Sequence, residues 1–200
     1  FTDFDPLRQI EGLSLRFSRR ISDLEDADLI ILPGSKNTLH DLNFLKRSGF
    51  AEELQRLSGK TWIMGICGGY QMLGDRVEDP QGMESGGSET GLGLLPMQTT
   101  LGGDKQLVRL EYQGKNWFEG IRCSAYEIHL GLSFFTAQPP IPLMQGQENL
   151  AVVDPENRIL GTYLHGLLES PGVLKKLFQK VSGTAIEVPE SFEEAREREL

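Results

Sequence analysis

The sequence predicts an α/β fold with a mainly parallel central sheet, because strand and helix patterns alternate in the first part of the chain. Two short apolar runs bounded by turn residues, at 28–34 and 60–66, are typical of buried parallel strands. Each is followed by a segment with the apolar spacing of a helix. This alternation is the signature of a parallel sheet covered by helices.

Composition limits the classes of protein. The 200 residues fit one domain, and 38% hydrophobic residues suffice for a core. A net charge of −9 argues against nucleic-acid binding, and two cysteines are too few for a disulfide framework. Without a membrane-spanning run or a signal peptide, we expect a cytoplasmic protein. Because the chain begins with Phe1, we expect residues 1–200 to be a fragment of a longer chain.

The remaining elements are predicted in chain order. A strand or extended segment is expected around 13–17, and Thr38 is expected to cap a helix over 39–57 that breaks near 48–49. We interpret 74–93 as a long surface loop. The later elements are antiparallel strands at 106–112, 115–118 and 124–128, a hairpin at 150–153 and 158–164, and a helix from Pro171 to about Lys180.

Cys67 lies in the most informative segment, Gly65-Ile66-Cys67-Gly68-Gly69, where a strand turns into a helix. The pattern resembles a nucleophile elbow, in which a strained turn presents the nucleophile above the sheet. The N–H of Gly68 would face a developing oxyanion, and the helix dipole would favour the thiolate. The alternative is a small buried core residue, which is how we interpret Cys123.

A cysteine nucleophile needs a base, and the chain has three histidines. His165 follows a predicted strand, at the sheet edge where Cys67 also lies, and is favoured. His129 is the alternative base, and His40 is expected on a helix surface. No histidine has partners at metal-ligand spacing, so no metal site is expected.

Four motifs resemble class I-type glutamine amidotransferases of the cobyric and cobyrinic acid branch. They are Leu32-Pro33-Gly34-Ser35-Lys36-Asn37-Thr38, Gly65-Ile66-Cys67-Gly68-Gly69-Tyr70-Gln71-Met72-Leu73-Gly74, Tyr126-Glu127-Ile128-His129 and Gly161-Thr162-Tyr163-Leu164-His165-Gly166. The opening Thr2-Asp3-Phe4-Asp5-Pro6-Leu7 agrees as well. The first motif favours the cobyric acid synthase side, and the resemblance runs to about residue 180. It implies the flavodoxin-like, three-layer amidotransferase fold, with additional antiparallel strands.

The resemblance also implies roles for residues. Cys67 would attack the side-chain amide of glutamine to form a thioester, and His165 would relay protons. Backbone N–H groups of Gly68 and of the Gly34–Ser35 loop would hold the oxyanion. The glutamine substrate would be held by Gln71 and by the segment from Tyr126 to His129.

One departure concerns the partner of His165. Many class I amidotransferases have a carboxylate two residues after the catalytic histidine, and this chain has Leu167 there. Either a Cys–His dyad operates, or a carboxylate from elsewhere orients His165. Glu169 is the nearest candidate in sequence, and a surface or capping role fits it equally well.

The resemblance implies a synthetase domain as partner, which amidates corrin carboxylates with the released ammonia. ATP and Mg²⁺ would bind to that domain, because this chain has no phosphate-binding Gly-x-x-x-x-Gly-Lys-Ser/Thr loop. Alternatives are a sister enzyme amidating cobyrinic acid at other positions or cell-wall precursors, and a non-catalytic module of the same fold. A hydrolase, chaperone or redox sensor of the broader fold is a further alternative, which the sequence disfavours because such proteins lack Gln71 and the Leu-Pro-Gly-Ser loop.

Overall fold

The two early apolar runs form neighbouring buried strands in a computed structural model, which describes residues 2–103, 108–146, 148–190 and 192. The strands are Leu29–Leu32 (β1), Trp62–Ile66 (β2), Arg76–Asp79 (β3), Gly87–Thr90 (β4), Met97–Thr100 (β5), Val108–Gln113 (β6), Arg122–Glu127 (β7), Leu132–Phe135 (β8), Ile141–Pro142 (β9), Ala151–Asp154 (β10), Ile159–Thr162 (β11) and Leu164–His165 (β12). The helices are Asp5–Arg8 (α1), Thr38–Arg47 (α2), Phe50–Leu57 (α3), Gly68–Leu73 (α4) and Pro171–Ser182 (α5).

The central sheet confirms the α/β class. Within the described residues it has five strands, in the order β1-β2-β11-β10-β9. The first three run parallel, with Met64 paired to Ile31 on one side and Leu160 on the other. Every residue of β2 and β11 is buried, as expected for inner parallel strands. The predicted hairpin supplies β10 and β11, which pair antiparallel.

The described residues also form two smaller sheets, of which the first is antiparallel and the second is mixed. In the described part of the chain their orders are β12-β7-β6 and β4-β3-β5-β8. The first confirms antiparallel strands near 106–112 and 124–128, although residues 104–107 lie outside the described part. The second brings β8, which follows the segment 128–131, to a sheet edge. None of the helices in the described residues is both long and apolar enough to span a membrane.

Helix boundaries largely match the sequence pattern. The expected break between α2 and α3 occurs at Gly49, whose φ of 81° suits glycine. Helix α5 begins at Pro171, and the Ser170 hydroxyl accepts a hydrogen bond from the Val173 N–H. The cap of α2 is Asn37 rather than Thr38, because the Asn37 side chain accepts the His40 N–H at 3.0 Å.

Two predicted elements differ from the structure, and a third lies mostly outside the described residues. The expected strand around 13–17 is irregular, and the chain instead opens with short helical turns at Thr2–Phe4 and Asp5–Arg8. Residues 115–118 form a 3-10 turn, Asn116–Phe118, rather than a strand. Most of the tail from 190 lies outside the described residues.

The segment 74–93 was expected to be a loop, and this prediction is wrong because it contains the β3–β4 hairpin. Its connection is organised by Asp79, whose carboxylate accepts backbone N–H groups at 2.7–3.1 Å from Met83, Glu84, Ser85 and Gly86. A turn held by one buried carboxylate and by backbone N–H groups does not depend on regularly spaced apolar residues. The pattern therefore could not reveal the hairpin.

The close packing of β2 against α4 depends on Gly65. A Cβ added to Gly65 would lie 2.6 Å from backbone atoms of Gly69 and Tyr70. We expect Gly65→Ala to lower the free energy of unfolding by about 3 kcal/mol. At Gly102, an added Cβ would meet its nearest atom at 3.7 Å, so Gly102→Ala is the matched control. Urea unfolding midpoints measure both, and equal midpoints would contradict this account of the turn.

Candidate active site

Cys67 occupies the sharp turn between the end of β2 and the start of α4. Its φ of 52° and ψ of −110° are strained for a residue with a side chain. The turn is held by backbone hydrogen bonds from the Cys67 N–H to Thr162 (2.8 Å) and from the Gln71 N–H to the Cys67 carbonyl (3.0 Å). The predicted elbow is present, and it directs Cys67 to the carboxyl end of the parallel strands.

His165 lies beside Cys67. The predicted strand over 158–164 is divided into β11, which ends at Thr162, and the short strand β12, which contains His165. Pairing of His165 with Tyr126 of β7 fixes its backbone, and the two rings stack at 5.5 Å. The imidazole lies against the Cys67 thiol, and the two groups interact electrostatically. The structure therefore brings together the two side chains that the sequence paired.

Gly34 lies next to both groups. A Cβ on Gly34 would be 3.4 Å from His165 Cε1 and 3.7 Å from Cys67 Cβ. The loop after β1 thus packs directly against the pair, and a glycine there keeps the space beside the thiol open. The Gly34–Ser35 loop therefore lies beside Cys67, as the sequence predicts.

A carboxylate that the sequence did not identify holds the other side of His165. Asp3 Oδ2 is 2.9 Å from His165 Nδ1, and Asp3 Oδ1 accepts the Gly166 N–H at 2.9 Å. With Nδ1–H donated to Asp3, Nε2 is the ring nitrogen that faces the thiol. Glu169, the nearest candidate in sequence, lies in a 3-10 turn after His165.

The electrostatics of the three groups support a charged histidine. Hydrogen bonds with Asp3 and with the Cys67 thiol raise the pKa of His165 from 6.5 to about 9, against the effect of burial. Burial alone would raise the pKa of Asp3, but the hydrogen bonds from His165 and Gly166 outweigh it and hold that pKa below 3.8. An imidazolium between two groups that can carry negative charge is the arrangement expected for an activated thiol.

The two backbone N–H groups that the sequence predicts as oxyanion donors, those of Ser35 and Gly68, lie close together at the start of α4. The Ser35 nitrogen lies 2.8 Å from the position of a Cβ on Gly68, so the two N–H groups belong to one small region. The Ser35 hydroxyl donates to Asp41 (2.6 Å) and accepts the Asn37 N–H (2.9 Å). Ser35 therefore contributes its backbone to the site. The first N–H groups of a helix have no partner within the helix and attract negative charge.

Gln71 is buried one turn after Cys67, with 2% of its surface exposed. Its Nε2 donates to the Leu130 carbonyl at 2.9 Å, and its Oε1 accepts from the Thr38 hydroxyl at 3.4 Å. Glu84 in turn accepts the Thr38 N–H at 2.5 Å. The amide thus connects α4, the start of α2 and the segment 128–131.

The contacts of His129 are with Tyr163 and Glu127. Its ring stacks on Tyr163 with centroids 4.0 Å apart, and its Nε2 is 3.5 Å from a Glu127 carboxylate oxygen. Within the described residues, its Nδ1 is buried and has no hydrogen-bond partner. The structure therefore favours His165 over the alternative His129 as the base for Cys67.

The remaining candidates lie outside the site. His40 is exposed, as expected for a helix surface. Cys123 is buried, and burial, with a smaller effect from Glu111, raises the pKa of its thiol to about 11. Among residues 2–103, 108–146, 148–190 and 192, no group of three His, Cys, Asp or Glu side chains is placed to hold a metal ion.

Comparisons with known proteins agree with this geometry. A family model described as the CobB/CobQ-like glutamine amidotransferase domain matches residues 1–173. Cobyric acid synthase of Vibrio campbellii is 39% identical over 98% of this chain and 42% of its own length. Cobyric acid synthase of Clostridium perfringens is 41% identical over 90% of this chain and 37% of its own length.

A solved structure supports the fold. A crystal structure of a glutamine amidotransferase superposes with a TM-score of 0.66 at 16% identity, covering 90% of this chain and 92% of the other. The flavodoxin-like amidotransferase fold expected from the sequence is therefore confirmed. The chain spans only about two fifths of the length of the curated relatives that it matches.

Proposed function

The chain belongs to the CobB/CobQ-like glutamine amidotransferase domain family, and we propose that it hydrolyses the side-chain amide of glutamine at Cys67. One observation carries this proposal: on a strained strand-to-helix turn Cys67 lies beside His165, which in turn forms a hydrogen bond with Asp3. Such a series is the general arrangement of an activated nucleophile, its base and the group that orients the base.

The first half of the reaction forms the thioester. His165 and Cys67 share one proton, which lies on His165 Nε2 when the Cys67 sulfur bonds to the amide carbon of glutamine. The carbonyl oxygen becomes an oxyanion that the N–H groups of Gly68 and Ser35 stabilise. His165 then returns its proton to the departing nitrogen, the C–N bond breaks, and ammonia leaves. Glutamate remains bound to Cys67 as a γ-glutamyl thioester.

The second half restores the enzyme. His165 takes a proton from water, and the hydroxide attacks the thioester carbon. The C–S bond breaks, the proton returns to sulfur, and glutamate is released. Asp3 stabilises the imidazolium that forms in both halves and keeps Nε2 aimed at the reacting atoms. In this proposal Gln71, Tyr126 and His129 hold the glutamine substrate.

The ammonia is consumed by a synthetase part that amidates carboxylates on a corrin, giving cobyric acid in cobalamin biosynthesis. This assignment rests on the similarity to cobyric acid synthases and on the greater length of those relatives. ATP and Mg²⁺ would act in that synthetase part, where a carboxylate must be activated before ammonia can displace its leaving group. The residues described in this chain would supply only the nitrogen.

Glutamate release by the chain, alone and with the synthetase part of a cobyric acid synthase added, tests the proposal. We expect slow release from the chain alone and at least about tenfold faster release with the partner, because lids and partners gate such sites. Nitrogen from glutamine labelled with ¹⁵N in its amide should appear in the corrin amide. Absence of glutamate release under both conditions would contradict glutamine hydrolysis, and unlabelled product would contradict nitrogen transfer.

A further inference from the structure

The segment 128–131 covers the nucleophile. The Cys67 thiol donates a hydrogen bond to the Ile128 carbonyl at 3.2 Å, and Gln71 holds the Leu130 carbonyl at 2.9 Å. Only 8% of the surface of Cys67 is exposed. A glutamine amide carbon has to reach the Cys67 sulfur, so this segment must move before the substrate can bind.

The position of residues 128–131 over Cys67 has a free-energy cost that no hydrogen bond among the described residues offsets. Between the two anchored carbonyls lies His129, whose buried Nδ1 has no hydrogen-bond partner among the described residues. Burial of a polar atom without a partner disfavours the state that buries it. The segment ends at Gly131, whose φ of 93° excludes most side chains and which an added Cβ would press against the Thr100 carbonyl. Gly131 is therefore the point at which the segment joins the strand that follows it.

That strand is β8, and it presents apolar side chains to solvent. Leu132 is 79% exposed and Phe134 is 53% exposed, whereas Ser133 and Phe135 between and after them are partly buried. The alternation places Leu132 and Phe134 on one outward face. Within the described residues β8 pairs only with β5, at the end of the order β4-β3-β5-β8. An apolar sheet edge of this kind is typical of an interaction surface.

We propose that the synthetase part docks on the outward face of β8 and thereby draws residues 128–131 away from Cys67. The proposal rests on the proposed function, because that part consumes the ammonia. Two facts favour this occupant over others. The relatives are more than twice as long as their match to this chain, so each contains further chain to cover the surface. The surface also adjoins, through Gly131, the segment that closes over the ammonia-producing thiol.

Docking would ensure that ammonia is produced at Cys67 only when the synthetase part is present to receive it. Ammonia released without a bound synthetase part would be lost to solvent, and the closed segment prevents this by shielding Cys67. A ligand or partner shifts such an equilibrium only by its preference for one state. In this proposal the synthetase part provides that preference by binding the outward face of β8 more tightly when residues 128–131 are open.

Alkylation of Cys67 by iodoacetamide, followed by mass spectrometry, tests the proposal without requiring turnover. For the wild-type chain we expect the synthetase part to accelerate alkylation about tenfold or more. Leu132→Lys and Phe134→Lys should reduce this acceleration to less than about twofold while leaving the rate without partner unchanged. Leu110→Lys is the matched control, because Leu110 is 50% exposed on the edge strand β6, and it should keep the full acceleration. Urea midpoints equal to wild type verify that the variants fold.

Three outcomes would overturn the inference. The β8 variants could retain wild-type acceleration, Leu110→Lys could lose it, or wild-type alkylation could be unaffected by the synthetase part. Acceleration that depends on chain concentration and needs no synthetase part would point to a second copy as the occupant, and it would overturn the inference too. None of these outcomes concerns the identity of the nucleophile, which Cys67→Ala tests separately through glutamate release.

Discussion

Replacing Cys67 with alanine should lower glutamate release by about 10⁴-fold or more, to the rate without enzyme. The variant retains the backbone donors of the oxyanion site but has no sulfur to form the thioester. Because Cys67 is strained at a φ of 52°, the folded state of the variant is verified by its urea midpoint. The measurement is glutamate production with the synthetase part present, where the wild-type rate is highest.

Cys123→Ala provides the matched control for that prediction. Cys123 is buried in β7, and burial raises the pKa of its thiol to about 11, so it is a poor nucleophile near neutral pH. We expect its variant to keep glutamate release within about twofold of wild type. Partner-stimulated activity that survives Cys67→Ala would show that the nucleophile lies elsewhere in the molecule.

The second large effect is expected from Asp3→Asn. An asparagine preserves the shape at 2.9 Å from His165 Nδ1 but removes the charge that stabilises the imidazolium. By analogy with the general triad, kcat should fall by about 10²- to 10⁴-fold, while KM changes little. Asp3 acts through His165 and is therefore a positioning residue.

The pH profile distinguishes this role from a merely structural one. In the proposed mechanism His165 must carry a proton to give to the departing nitrogen, so activity of the wild type should persist until pH rises through about 9. Without the Asp3 charge the pKa of His165 falls toward its ordinary 6.5, and the alkaline limb of kcat/KM moves to lower pH. Glu169→Gln, the control at the nearest carboxylate in sequence, should leave the limb in place. An unchanged profile in Asp3→Asn would contradict the assigned role.

The turn around Cys67 was predictable because its signals are local. Glycines that permit close packing, a buried strand and a short helix all lie within residues 60–73. His165 was predictable from topology, since carboxyl ends of parallel strands meet at one edge of a sheet. Its placement on β12 rather than on β11 did not alter that conclusion, because only two residues separate Thr162 from His165.

Asp3 was not predictable from pattern, because it reaches His165 across 162 residues of chain. The opening Thr2-Asp3-Phe4-Asp5-Pro6-Leu7 was noted as part of the resemblance, and that motif was the available signal. Sequence spacing instead directed attention to Glu169, four residues from His165. The position of residues 128–131 over Cys67 was not predictable either. It depends on the backbone carbonyls of Ile128 and Leu130, and every residue type has such a carbonyl.

The covalent intermediate provides the most direct test of the central claim that Cys67 is the glutaminase nucleophile. The chain with its synthetase part is mixed with carbon-labelled glutamine, quenched in acid during turnover, digested and analysed by mass spectrometry. We expect a γ-glutamyl adduct on the peptide containing Cys67, absent from Cys67→Ala and lost on brief treatment with hydroxylamine, which cleaves thioesters. Turnover without an adduct on Cys67, or with the adduct on Cys123, would contradict the account.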